Sequence, residues 1–133
     1  MALTRRTFLQ STAAMPGVMS AMPFASGSRV PPSDRINVAM IGCGKMANSY
    51  HLPQLLQQPD VQLVAVCEVD ATRREWAAER VNKKYSDGKK DFKGCSTYVD
   101  FREVIAREDI DAVCIATPDH WHTIPLIEAC KAG

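Results

Sequence analysis

Several features are scarce in this 133-residue chain, and each scarcity narrows what it does. Its five cysteines, Cys43, Cys67, Cys95, Cys114 and Cys130, form no CxxC pair and no other metal-ligand spacing, which excludes a zinc ribbon and gives no disulfide framework. Cys67 and Cys114 lie inside apolar runs, where a thiol acts as a small buried hydrophobe. There is no excess of base: Lys and Arg total 16 against 15 Asp and Glu. Three of the bases, Arg5, Arg6 and Arg29, fall in residues 1–33, which hold no acid, so the rest of the chain has two more acids than bases. Such a body lacks the electrostatic footprint of a nucleic-acid binder. No internal repeat occurs, and no uninterrupted apolar run reaches the roughly 20 residues of a spanning helix. Stable membrane insertion is therefore not expected.

What is present starts with an address. "TRRTFLQ" (Thr4–Gln10) leads into "STAAMPGVMSAMPFAS", an Ala-, Ser- and Met-rich segment broken by Pro16, Gly17 and Pro23. A basic start, a short apolar middle and a small-residue end make a cleavable export signal. Arg5–Arg6 with Phe8–Leu9 after them resembles a twin-arginine (Tat) leader. Residues 1–33 are thus expected to be signal peptide and linker, and the mature protein periplasmic or otherwise extracytoplasmic.

Residues 34–133 alternate strand-length apolar runs with helical patterns. Ile36–Ile41, Val61–Val69 and Asp111–Thr117 are rich in Val, Ile, Ala and Cys, as strands covered on both faces are. A shorter strand fits Ser96–Val99. Met46–Gln58 has helical spacing with a kink expected at Pro53. Asp70 is placed to cap a helix whose Ala77, Ala78, Val81 and Tyr85 share one face. Asp100 opens a short third helix in capping-box style, and a fourth is expected from about Thr123 to Ala132, with Pro125 in its first turn. This order predicts an α/β fold: a doubly wound parallel sheet, incomplete, of about four strands in the order 3-2-1-4 with helices on both faces. The strand Ala112–Ala116 is then an exposed edge that invites self-association.

Ligands of such sheets bind beyond the carboxyl ends of the strands. After the first strand comes "GCGKMA": Gly42, Cys43, Gly44, Lys45, Met46 and Ala47. Gly42 permits the turn, Gly44 lets backbone approach a pyrophosphate, and Ala47 allows close helix–strand packing. After the second strand comes Glu68, 24 residues beyond Gly44, close to the interval of about 20 at which an acid accepts hydrogen bonds from a ribose. An acid there repels a 2′-phosphate and favours NAD, while Arg73 and Arg74 leave NADP open. An ordinary strand-end carboxylate is the plainer alternative for Glu68. The third run ends in "ATPDHWH", a polar loop containing Thr117, Pro118 and His122.

Together "RINVAMIGCGKMA", "LVAVCEVD" and "DAVCIATPDHWH…ACKAG" resemble the amino-terminal domain of the Gfo/Idh/MocA oxidoreductases, named for glucose–fructose oxidoreductase and inositol dehydrogenase. The resemblance covers Arg35–Gly133. It implies a Rossmann domain, a nicotinamide dinucleotide and, in a full-length form, hydride transfer at a sugar, cyclitol or related carbinol, with oligomerisation open. It implies that Gly42, Gly44 and Ala47 form the glycine fingerprint and that Glu68 is the ribose-binding acid. It also implies that Thr117, Pro118 and His122 belong to the loop near the nicotinamide. Many members have Asp where this chain has Glu68. The family's Glu-Lys-Pro motif, whose Lys is associated with catalysis, is expected beyond Gly133, so no catalytic residue and no metal ligand is assigned. Without them the 133-residue chain alone is expected to show no normal dehydrogenase turnover. Two other classes stay open: a non-catalytic nucleotide-binding remnant or interaction module, and an S-adenosylmethionine-type nucleoside binder. Ala47 and the ATPxxxH loop favour the dinucleotide.

Overall fold

The computed structural model describes residues 34–86 and 92–133; the leader and part of the Ser86–Cys95 loop lie outside these. Four parallel strands form the sheet: β1 (Ile36–Ile41), β2 (Val61–Cys67), β3 (Ser96–Tyr98) and β4 (Ala112–Ile115), in the order β3-β2-β1-β4. The expected topology is the one found. β2 and β4 end before their apolar runs do, at Cys67 and Ile115, though the Glu68 N–H still donates to Tyr98 O and the Ala116 N–H to Ile41 O.

Four helices connect and flank the strands: α1 (Leu52–Leu55), entered through a π-helical turn at Ala47–His51, α2 (Ala71–Ser86), α3 (Phe101–Ile105) and α4 (Asp119–Ala132). Asp70 caps α2 by accepting the Arg73 N–H at 3.0 Å. Asp100 caps α3, accepting the Arg102 N–H at 2.9 Å. The expected kink at Pro53 is instead this π turn, in which the Leu52 N–H donates five residues back to Ala47 O. Pro53 has no N–H for an i−4 bond, and the wider turn places it in the first turn of α1, where none is needed.

The fourth helix begins four residues earlier than expected. Pro118 is its N-cap and the Trp121 N–H donates to Pro118 O at 2.8 Å, so His120, Trp121 and His122 are helical rather than loop. Pro125 therefore sits inside α4, buried, and not in its first turn.

The core lies on both faces of the sheet. Met40, Leu63 and Val66 meet Leu52, Ala77, Val81 and Tyr85 on one face; Ala39, Ile41, Ala65 and Cys67 meet Val104 on the other. Leu63 and Val66 share a face although three residues apart, which simple alternation forbids. A bulge explains it: Val38 pairs with Leu63 but Ala39 with Ala65, so Val64 is an extra residue. Tyr85, buried in α2, reaches this irregularity, its hydroxyl accepting the Leu63 N–H at 3.1 Å. At the other side of the sheet β4 pairs only with β1 among the described strands, and Ile124, Leu126 and Ile127 of α4 are exposed.

The Tyr85 hydroxyl thus serves a backbone donor that the bulge places at the buried face. Tyr85→Phe leaves that N–H without its partner and is expected to lower stability by about 1–2 kcal/mol, read from chemical denaturation with an unchanged m-value.

Candidate functional site

The turn after β1 is built on one glycine. Gly42 has φ +89°, a conformation side chains rarely adopt, and a Cβ there would lie 2.8 Å from the Ala116 carbonyl carbon and oxygen and from Thr117 N. Backbone bonds tie the same point to both neighbours of β1: the Gly42 N–H donates to Cys67 O and the Ala116 N–H to Ile41 O, each at 2.8 Å. The fold itself therefore demands Gly42. Gly44 is different: an added Cβ would meet nothing within 4 Å. Among the described residues nothing packs against this position, which lies open on the cleft.

Glu68 braces the turn from the end of β2. Its Oε2 accepts the Cys43 N–H at 2.7 Å and its Oε1 accepts the Asp70 N–H at 3.1 Å. Arg74 is turned beneath this segment, its Nη1 donating to Glu68 O at 2.7 Å. Asn48 closes the far side of the turn, its Nδ2 donating to Cys43 O at 2.8 Å.

A cleft of about 850 Å³ opens above these strand ends. Of the residues singled out from sequence, Gly42, Gly44, Lys45, Met46, Glu68, Arg73, Thr117 and Pro118 line it. Cys43 and Ala47 are buried and do not line it. His122 does not line it either: its Nδ1 lies 3.4 Å from Thr117 O, within its own helix start. The early start of α4 causes this, since it places Trp121 on the cleft and turns His122 back.

Sequence reasoning missed one wall. Val99, Asp100, Phe101 and Arg102, which follow β3, line the cleft together with Val69, Asp119 and Trp121. The signal was the Asp100 cap, because a helix that starts after a parallel strand starts at the same sheet edge. Val69 and Val99 are 77% and 56% exposed, an apolar pair at the ends of β2 and β3.

The site holds acids and bases but no reactive thiol. Burial first, and then the Glu68 carboxylate, push the Cys43 thiol up to about 12; burial raises Cys67 to about 11. Both remain neutral thiols at physiological pH. Among the described residues no group of three His, Cys, Asp or Glu side chains is placed to hold a metal.

A family model described as "Oxidoreductase family, NAD-binding Rossmann fold", that of GFO_IDH_MocA, matches residues 36–133. The chain belongs to the Gfo/Idh/MocA oxidoreductase family. Its fold is that of the family's NAD-binding domain, with the glycine turn, Glu68 and the Thr117 segment at three adjacent strand ends. Similar curated proteins include a glycosyl hydrolase family 109 protein of Shewanella pealeana, 27% identical over 131 residues, 98% of this chain. Another, of Saccharopolyspora erythraea, is 33% identical over 107 residues, 75% of this chain. The chain spans 28% and 21% of the lengths of these two relatives.

Among solved structures, KijD10, a 3-ketoreductase from Actinomadura kijaniata in complex with NADP, matches with TM-score 0.60 and 26% identity over 74% of this chain and 28% of its own. The scyllo-inositol dehydrogenase from Lactobacillus casei, with bound NAD(H) and scyllo-inositol, gives TM-score 0.57 at 24% identity over 74% of this chain and 26% of its own. At that identity the likeness is one of fold.

The residues present fit a dinucleotide. Gly44 offers an open cradle, and the Thr117 Oγ1, buried beside the cleft, has no hydrogen-bond partner among the described residues. Gly44→Ala is accordingly expected to leave stability within about 0.5 kcal/mol of the parent while weakening dinucleotide binding about tenfold or more. Gly42→Ala is expected to cost about 2 kcal/mol or more of stability, from φ strain and the overlap with Ala116. Thermal melts and NADH titrations of the two variants separate what the fold requires from what the ligand requires.

Proposed function

We propose that this chain is the cofactor-binding part of an exported oxidoreductase that binds NAD in preference to NADP and transfers hydride at a carbinol of a sugar, cyclitol or related compound. The observation that carries the dinucleotide reading is Gly44, a glycine whose Cβ position is empty at the floor of a cleft bounded by Glu68 and the unpartnered Thr117 hydroxyl. In this reading the turn at Gly42–Lys45 receives the pyrophosphate, whose charge suits backbone N–H groups at a turn leading into a helix. Glu68 accepts from the adenosine ribose, and Thr117 and Pro118 flank the nicotinamide. The dinucleotide supplies the hydride acceptor when bound; the chain's own residues bind and orient it and exclude water from one side.

The NAD preference rests on the carboxylate of Glu68 at the cleft, since an acid there repels a 2′-phosphate. KijD10 was solved with NADP, so the preference is argued from this chain's own side chains and not from that relative. A substrate needs a surface that holds it against the nicotinamide, which by the family resemblance a lysine and a substrate-binding domain supply.

The family 109 glycosyl hydrolases among the relatives favour a second reading, in which the bound dinucleotide serves glycoside cleavage. NAD-dependent glycosidases exist outside the usual two-carboxylate scheme. The protein carrying this chain is expected to bind NADH saturably and to leave S-adenosylmethionine unbound in the same titration. Supplied with NAD+ and a sugar alcohol it then accumulates NADH as the carbinol is oxidised to a carbonyl. Release of sugar from a glycoside with no net NADH favours the hydrolase reading, and binding of S-adenosylmethionine alone refutes both.

The export reading rests on Arg5–Arg6 and the interrupted apolar segment after them. Tat export suits a domain that must fold around a cytoplasmic cofactor before it leaves. Replacing both arginines by lysine is expected to retain the protein in the cytoplasm, measured by cell fractionation.

A further inference from the structure

Three arginines gather where β2 and β3 end. Arg74 is committed to the backbone, its Nη1 donating to Glu68 O. Arg73 and Arg102 line the cleft beside Glu68. Each of these two belongs to a helix capped by an aspartate, and each faces its own cap. Asp70 Oδ2 stands 3.9 Å from Arg73 Nε, a loose approach. Asp100 is closer and two-pronged: Arg102 Nη1 lies 3.2 Å from Oδ1 and 3.3 Å from Oδ2. The Arg102 guanidinium also lies over the Phe101 ring, 4.7 Å from its centroid, which holds it along the cleft wall.

Three carboxylates (Glu68, Asp70, Asp100) thus balance three guanidiniums at this end of the cleft. A doubly charged 2′-phosphate needs the reverse, a surplus of donors whose N–H groups are not already engaged. A helix cap alone does not require a carboxylate, since Asn and Ser cap as well as Asp. Oδ1 accepts both the Arg102 backbone N–H and Nη1, but only a carboxylate adds a second oxygen and a negative charge to hold the guanidinium.

We propose that Asp100 is a second cofactor-specificity residue. By gripping Arg102 it withholds from the adenosine end of the cleft a guanidinium that would accept a 2′-phosphate, and its own charge repels that phosphate. The inference rests on the dinucleotide reading above and adds to Glu68 a determinant on the wall that follows β3. Asp100 acts through Arg102 and is a positioning residue. Its pair is exposed, so its effect is electrostatic, modest and sensitive to salt.

The test uses energy transfer from Trp121, which lines the cleft, to NADH and to NADPH in the parent, Asp100→Asn, Asp100→Ser and the Asp100→Asn/Arg102→Met double variant. Asn and Ser preserve the cap, and a thermal melt verifies that each variant is folded. The parent is expected to prefer NADH. Asp100→Asn is expected to tighten NADPH binding about fivefold to tenfold with NADH affinity within about twofold of the parent. The double variant is expected to lose that gain, and raised salt to shrink it. An NADPH to NADH affinity ratio that does not move in either single variant, with NADH still bound, overturns the role of Asp100. A gain that survives removal of Arg102 overturns the grip as its cause. A parent that binds neither nucleotide overturns the cofactor reading and this inference with it.

Discussion

The contact between Gly42 and the backbone of Ala116–Thr117 sets the geometry of everything above the sheet. Three parallel strands come together at this point, joined by the Gly42–Cys67 and Ala116–Ile41 hydrogen bonds. Because a Cβ would sit 2.8 Å from three backbone atoms, the approach is closer than any side chain permits. The sheet can therefore bring the ends of β1 and β4 together only with glycine here. The close approach is what brings Thr117 and Glu68 to opposite sides of one turn. The two glycines of the motif stand in unlike places: a Cβ at Gly42 would collide with the Ala116–Thr117 backbone, and one at Gly44 would meet nothing within 4 Å.

Charge around that turn is arranged so that one group meets several demands. The Glu68 carboxylate holds the Cys43 N–H and the Asp70 N–H, and so fixes the loop before any ligand arrives. A carboxylate so engaged still has lone pairs to offer a hydroxyl, since each of its oxygens accepts more than one bond. The carbonyl of the same residue holds Arg74, which removes one guanidinium from the cleft. Asp70 and Asp100 each cap a helix and face an arginine of its first turn. Caps and turn braces, and in Glu68 and Asp100 also the lining of the cleft, are thus carried by the same side chains. A scan for exposed unpaired charges would overlook them.

The parts of this fold that depend on composition were legible in the sequence, and the parts that depend on where individual hydrogen bonds go were not. The apolar runs marked β1 to the residue, and the alternation of strands and helices with right-handed crossovers gave the parallel order of the four strands. The bulge at Val64 was hidden because two-residue alternation cannot be read from a run in which nearly every residue is apolar: Leu63, Val64, Ala65 and Val66 suit either face. Tyr85 was legible as a core residue but not as a donor's partner, which depends on that bulge. The π turn before Pro53 and the early start of α4 at Pro118 share one cause. Proline removes a donor, and the chain can answer by bending, by widening a turn or by moving a boundary; spacing does not say which.

The wall after β3 was missed for a different reason. Its residues belong to no glycine motif, and the strand before them, Ser96–Tyr98, is three residues long with little apolar signature. Yet topology alone was sufficient to find it. In a parallel sheet every strand ends at the same edge, so the segment after β3 must border the cleft once β3 is placed beside β2. The capping aspartate then fixes where the helix begins, and the residue two positions on, Arg102, turns back to it. A site in a doubly wound sheet is thus bounded by strand ends taken in spatial order, β3-β2-β1-β4, and each contributes whether or not its sequence carries a motif.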